Sequence, residues 1–295
     1  MGLDLGGTKI EGRVLAPDGE EIARMRILAP QGDYQATVTA LTDIVRALEA
    51  EVGGGVTTVG IGMPGSLSPV TGLVRNANST WLNGQPLRED LERVLERPLR
   101  LANDANCFAL SEAVDGAAAG ARSVFGVIIG TGCGGGIVID GRVLEGARGI
   151  GGEWGHNPLP WSEPDEHPGP ECWCGRKGCM EMWASGTGLS SDYRRRTGEL
   201  VSGHEIVARA KLGEPAAQTS LDRHASRLAR GIAHIINVVD PEVIVLGGGL
   251  SKLPHLYEAV PRLAAPYVFS DVKNIDIRPP KWGDASGVRG AAWLW

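Results

Sequence analysis

The sequence predicts an α/β fold in two lobes, on three observations. At 295 residues the chain is long for one small domain. Its first part alternates strand-like and helix-like segments, the signature of α/β layers. A strand, glycine turn, strand unit also occurs twice, near the start of each half.

The opening "GLDLGGTKIEGRVLAPDGEEIARMRI" reads as three strands joined by a glycine turn and a "PDGE" turn. "DYQATVTALTDIVRALEAEV" puts Val38, Leu41, Ile44, Val45 and Leu48 on one face of a helix. "VTTVGIGMPG" is a buried strand entering a glycine-proline loop, and "LREDLERVLERP" an amphipathic helix stopped by Pro98. "LRLANDAN" is a short strand and turn, followed by a helix over "CFALSEAVDGAAAGA". "SVFGVIIGTGCGGGIVIDGRVLEG" repeats the opening meander. Residues 151–180 are irregular and rich in Pro, Gly and Trp. After Ser185 helices dominate, notably "ASRLARGIAHIINVVD". "EVIVLGGGLS" is another buried strand into a glycine turn, and "SGVRGAAWLW" a closing helix.

Composition narrows the function. The net charge of −6 argues against nucleic-acid partners and against an anionic membrane surface. No apolar run reaches the roughly 18–20 residues of a membrane span, and no secretion signal is visible. Five cysteines are too few and too odd in number for a disulfide scaffold. The expectation is a soluble, cytoplasmic, reduced protein.

Two glycine hairpins draw attention. "DLGGTK" runs from Asp4 through Gly6, Gly7 and Thr8 to Lys9. "GTGCGGG" contains Gly130, Thr131, Gly132, Cys133, Gly134, Gly135 and Gly136. Glycine lets the backbone approach a bulky anion and aim N–H groups at it. Neither is a Walker loop or a Rossmann fingerprint, since a strand follows each. Either alone is an ordinary turn. Together, with a third glycine turn at Gly247, Gly248 and Gly249, they suit a nucleotide held in a cleft between duplicated lobes. Asp4 beside the first hairpin can hold Mg²⁺ through water, or merely cap the turn. Asp104, between a strand and a helix, is read either as an N-cap or as a general base; the two readings are compatible.

Cys172, Cys174 and Cys179 form C-x-C-x4-C. A redox pair is normally C-x-x-C beside a βαβ unit, which is absent. Three thiolates plus one further ligand make a tetrahedral Zn²⁺ site. His156 is the natural fourth ligand, and His167 competes. A four-ligand site has no open position, so this zinc is structural rather than a source of hydroxide. Glu153 and Glu181 flank the ligands; a folded metal segment would fix them where sugar hydroxyls need directional acceptors.

With these residues assembled, the chain resembles a bacterial sugar kinase of the ROK family (repressor, open reading frame, kinase), essentially end to end. "DLGGTK" and "GTGCGGG" match the phosphate motifs. "GEWGH" with "CWCGRKGCMEMWASG" matches the ExGH and CxCGxxGCxE pattern, the most specific part. "VDPEVIVLGGGLS" and "GDASGVRGAA" resemble the C-terminal elements. "VRNANSTWLNGQPL" and "LANDANCFALSEAVDGAAAGA" look most like the fructokinase (manno-fructokinase) branch.

The resemblance implies an actin-like ATPase (ribonuclease H-like) fold. It implies a small lobe over 1–115 with a C-terminal helix, 284–295, returning to it. A large lobe over 116–283 would carry the zinc segment 156–179. It makes Asp104 the base and assigns Gly65, Asn78, Asn103, Glu153, His156 and Glu181 to the sugar. The hairpins and Gly247 to Gly249 fall to ATP. The implied activity is ATP- and Mg²⁺-dependent phosphorylation of fructose to fructose 6-phosphate, with mannose, glucose or N-acetylglucosamine as alternatives. Water exclusion on lobe closure would favour the sugar hydroxyl over water. A homodimer is implied. The rival class in this family is a sugar-responsive transcriptional regulator, whose winged helix-turn-helix would precede the phosphate loop. Only Met1, Gly2 and Leu3 precede Asp4 here, so that segment is not expected and the first strand is expected to be short.

Overall fold

A computed structural model describes residues 1–295. The chain forms two compact units. The first comprises Met1–Arg122, Gly136–Gly152 and Lys281–Trp295, the second Ser123–Gly135 and Glu153–Pro280. The sequence-based division differs, because residues 116–122, 136–152 and 281–283 group with the first unit. The reason is local. The turn after Val114 folds back onto its helix, with Ala118 N–H donating to Glu112 O at 2.8 Å. Asp140 N–H then donates to Arg122 O at 2.7 Å, holding the later segment to the same unit.

The first unit opens with β1 (Gly2–Leu5), β2 (Lys9–Leu15) and β3 (Glu21–Leu28), then α1 (Tyr34–Glu51) and β4 (Val59–Met63). A small antiparallel ribbon of β5 (Ser66–Leu67) and β6 (Val74–Arg75) follows. α2 (Leu87–Leu95), β7 (Leu99–Asn103) and α3 (Asp104–Val114) come next. The sheet order is β3-β2-β1-β4-β7. β1, β4 and β7 run parallel, with Asp4 level with Gly62 and Gly62 level with Ala102. The register therefore brings Asp4 and the end of β7 to one edge of three parallel strands, where α/β folds bind ligands.

α1 forms because its apolar residues recur at helical spacing and Asp33 caps it, accepting from Ala36 N–H at 2.9 Å. Its buried residues include Leu41, Ile44 and Leu48, which pack with Leu3, Ile10 and Ile61 in one core. α2 ends as expected before Pro98, with Glu96 in the left-handed region. α3 starts three residues earlier than "CFALSEAV" suggested and stops at Val114, before the glycine turn.

The second glycine meander forms β8 (Ser123–Ile129), β9 (Cys133–Ile139) and β10 (Arg142–Val143). After an irregular stretch come α4 (Glu181–Ala184), α5 (Gly186–Thr197), α6 (Gly203–Lys211) and α7 (Pro215–Val239). β11 (Val243–Gly247), α8 (His255–Ala264) and β12 (Ile277–Arg278) follow. The second sheet has the order β10-β9-β8-β11-β12, with β8, β11 and β12 parallel. Within the second unit a buried ion network anchors the irregular stretch. Glu166 accepts from Arg227 Nε at 2.7 Å and from Arg230 Nη1 at 2.7 Å. Arg227 Nη1 also donates to Asp192 at 2.8 Å.

The last helix, α9 (Ser286–Ala292), belongs to the first unit and packs on α3, β1 and β4. It ends before Trp295, where a helix was expected to continue. The tail turns aside so that Trp295 Nε1 can donate to Val59 O at 2.9 Å, with the Arg100 guanidinium 4.3 Å from its ring centroid.

Candidate functional site

In the first unit, β1 delivers Asp4 into the turn that carries Gly6 to Lys9. Gly6 N–H donates to Lys9 O at 3.0 Å, closing the hairpin, and Gly7, Thr8 and Lys9 are exposed. Gln31 Nε2 donates to Gly7 O at 3.2 Å, a support that sequence reasoning missed. Asp4 is half-buried. Burial raises its carboxyl to about 6, and the charges of Asp104 and Glu11 add to the rise. Neighbouring carboxylates that repel one another fit a divalent cation, so Asp4 is the residue suited to Mg²⁺.

Asp104 is the first residue of α3, and its neighbour Asn103 is the cap. Asn103 Oδ1 accepts from Ala105 N–H at 2.9 Å, and its Nδ2 donates to Gly65 O at 3.0 Å. The capping alternative for Asp104 therefore falls to Asn103. Asp104 Oδ1 shares the Ala105 N–H at 2.9 Å. The residue as a whole is exposed, yet burial of its carboxyl group raises the pKa, against the lowering effect of the Ala105 amide and the Asn103 side chain. The result is a carboxylate held less acidic than usual.

Gly65 sits at φ +74°, and a Cβ there would lie 2.3 Å from Arg75 O, so only glycine fits. Asn78 is exposed. Asn83 shapes the turn before it, accepting from Ala77 N–H at 2.9 Å and donating to Ala77 O at 3.0 Å. Gly136 approaches α3, where a Cβ would lie 2.6 Å from Ala105 O.

In the second unit, the hairpin at Gly130–Gly135 is braced by the start of α5. Gly186 N–H donates to Gly130 O at 2.7 Å, and Thr187 Oγ1 donates to Thr131 O at 2.8 Å. Trp154 Nε1 donates to Gly134 O at 2.9 Å. The third glycine turn lies against it: Gly248, at φ +79°, would place a Cβ 2.7 Å from the Ile129 carbonyl. These segments line a cavity of about 680 Å³ that includes Thr131, Thr187, Ser202, His204 and Gly249. That volume suits a nucleoside. The contributions of Thr187, Ser202 and His204 went unread in the sequence. A serine N-cap before glycine in "ASGTG" was the available signal.

His156, Cys172, Cys174 and Cys179 converge, their ligand atoms all within 4.8 Å of one another. Cys172 Sγ is 3.5 Å from His156 Nδ1, and Cys174 Sγ is 3.6 Å from Cys179 Sγ. A tetrahedron with Zn–S of about 2.3 Å has edges of about 3.8 Å, so the four donors fit zinc. His167 is exposed and outside the cluster, so the fourth donor that converges with the three thiols is His156. Burial and neighbouring thiols push Cys179 up to about 12, whereas Cys174 is lowered, chiefly by the backbone and side-chain hydrogen bonds it accepts against the effect of burial. One thiolate thus suppresses the next, a conflict that a bound divalent cation removes.

Glu181 begins α4. Its Oε1 accepts from Trp173 Nε1 at 2.8 Å and its Oε2 from Cys133 N–H at 3.1 Å. The Cys133 amide is therefore committed to Glu181 rather than free for a phosphate, a correction to its expected role. Glu153 is exposed on the same unit. The candidate residues thus sort by unit: Asp4, Gly65, Asn78, Asn103 and Asp104 in the first, Glu153, His156 and Glu181 in the second.

Comparison with known proteins bears on all of this. The model of the ROK family matches residues 1–295. An N-acetyl-D-glucosamine kinase of Vibrio cholerae serotype O1 is 41% identical over 299 residues, covering 99% of this chain and 98% of the relative. The crystal structure of a ROK hexokinase from Thermus thermophilus superposes with a TM-score of 0.89 at 34% identity, covering 99% of this chain and 96% of that one. A ROK family glucokinase from Streptomyces griseus, solved with glucose and AMPPNP, gives 0.78 at 27% identity, covering 99% and 97%. The actin-like ATPase fold follows. The fructokinase branch finds no support: the similar curated relatives are named as N-acetylglucosamine kinases.

Proposed function

The chain belongs to the ROK family, and from that premise we propose that it is an ATP-dependent sugar kinase whose preferred acceptor is N-acetylglucosamine, phosphorylated on a hydroxyl. The choice of sugar rests on the similarity to relatives of that name. The observation that carries the kinase reading is Asp104: a carboxylate with a raised pKa, at the end of a parallel strand.

Its geometry suits a general base. The Ala105 N–H holds Oδ1, leaving Oδ2 to accept the sugar hydroxyl's proton. The resulting alkoxide attacks the γ-phosphorus, the bond to the β–γ bridging oxygen breaks, and ADP leaves. Asn103 orients this residue through the cap of α3 and through a side-chain hydrogen bond to its carboxylate. Asn78, Glu153 and Glu181 supply further polar groups for hydroxyls, and His156 its Nε2. The nucleoside occupies the second unit's cavity beside Thr131 and Gly249, and the exposed Gly7, Thr8 and Lys9 are the first unit's candidates for phosphate contact. When bound, Mg²⁺ at Asp4 supplies countercharge to the phosphates, and zinc supplies the cross-link that fixes the 156–179 segment.

The test is ADP release in the presence of ATP, Mg²⁺ and N-acetylglucosamine, with the phosphorylated position read by NMR. Sugar-dependent ADP release supports the reading, and its absence with every hexose and N-acetylhexosamine sinks it.

A further inference from the structure

We propose that Trp173 is a positioning residue, whose indole N–H fixes the Glu181 carboxylate against the Cys133 amide and so joins the metal knuckle to the glycine hairpin at Gly130–Gly135. All of these groups lie in the second unit.

Trp173 stands between two of the four metal ligands, Cys172 and Cys174, and meets a third edge-on: its ring centroid is 4.8 Å from that of His156, at 88°. The indole is 71% exposed, so core packing does not explain its orientation. What orients it is the ligand set on one side and a charge-assisted hydrogen bond of 2.8 Å to Glu181 Oε1 on the other.

Glu181 is equally constrained. Its backbone N–H donates to Gly155 O at 2.9 Å, and its carbonyl accepts from Ser185 Oγ at 2.6 Å. The remaining freedom is in its side-chain torsions, and two donors remove it, Trp173 Nε1 and the Cys133 amide. A carboxylate has about four lone-pair sites, so two remain for a ligand. The Cys133 amide lies inside the hairpin that also lines the nucleoside cavity through Gly130 and Thr131. A change at the knuckle therefore has a side-chain route to the hairpin through this carboxylate, beside the Trp154 hydrogen bond to Gly134 O. Sequence alone gives no hint of this, because the residue between the first two cysteines need satisfy no ligand geometry.

The test compares zinc-loaded wild type with Trp173→Phe, which keeps a ring and removes the N–H. The variant is expected to hold zinc as the wild type does, with a Tm within about 2 °C, as for an exposed site. Amide exchange over residues 130–135, without substrates, should quicken by about fivefold or more, since one charge-assisted hydrogen bond is lost. On the kinase reading proposed above, the KM values for sugar and for ATP should each rise by about tenfold, with kcat changed less. Glu181→Gln should quicken the same amides. Unchanged exchange over 130–135 in both variants, with zinc retained, overturns the joint; so does loss of zinc from Trp173→Phe, which would make the indole a part of the knuckle only. The exchange arm needs no substrate. A protein that phosphorylates no sugar would count against the proposed function and leave the joint to be decided by exchange.

Discussion

At the scale of single residues, chemistry and stability pull in opposite directions at Asp4 and Asp104. Asp4 has a folded pKa of about 6 against an ordinary value of 3.8. Its stabilising contribution is that of the neutral acid, complete below about pH 4 and lost as pH rises through 6. At pH 7.5 the charged form is a cost of up to about 3 kcal/mol. Asp4→Asn should therefore raise Tm by a few degrees at that pH and lower Mg²⁺-dependent activity; a fall in Tm would contradict the electrostatic account. As the proposed base, Asp104 must be ionised, and burial raises its pKa, so the acid limb of kcat should lie above the ordinary aspartate range of about 4. Asp104→Ala should cut kcat by roughly 10²- to 10⁴-fold while sugar binding by calorimetry is largely kept. Near-normal turnover would remove Asp104 from the mechanism. That carboxylate was legible in "LANDAN", but which residue caps the helix was not. Asn and Asp are both good caps, and only the reach of Asn103 to Gly65 separates them.

At the scale of elements, two devices bear on the irregular 153–180 segment of the second unit, and they can be tested apart. The buried network joins Glu166 to Arg227 and Arg230. Glu166→Gln leaves two buried guanidinium groups underpaired and should cost about 3–5 kcal/mol, read as a lower Tm, with zinc affinity little changed. Equal stability in chemical denaturation would show that the network carries no load. The second device is the metal cluster. Chelation should lower Tm and raise KM for the sugar, and added zinc should reverse both; a metal-free, folded enzyme with normal KM would break that link. The cluster was legible because three of its four members, Cys172, Cys174 and Cys179, fall close together in a distinctive spacing. The ion network was not, since its partners lie more than sixty residues apart. The bracing of the hairpin by α5 was hidden for the same reason, as Thr187 meets Thr131 only in the fold.

At the scale of the whole molecule, alternation of strands and helices gave the α/β class, and the glycine meanders foretold antiparallel starts to two mixed sheets. The fructokinase branch read from "VRNANSTWLNGQPL" finds no support among the similar relatives, and that stretch is taken up with local structure. Asn83 clamps Ala77, Trp81 Nε1 donates to Thr37 Oγ1 at 3.2 Å, and Val74 N–H donates to Gln85 O at 3.0 Å. Those residues build a loop, and a loop's architecture does not choose between a hydroxyl and an acetamido group on a sugar. Selection among sugars is a ratio of kcat/KM values. The most direct measurement is therefore one reaction with equimolar N-acetylglucosamine, glucose, mannose and fructose at limiting ATP, with products resolved by mass spectrometry and chromatography. The account predicts that phosphorylated N-acetylglucosamine forms first and predominates by about tenfold or more; a predominance of fructose phosphate would contradict it.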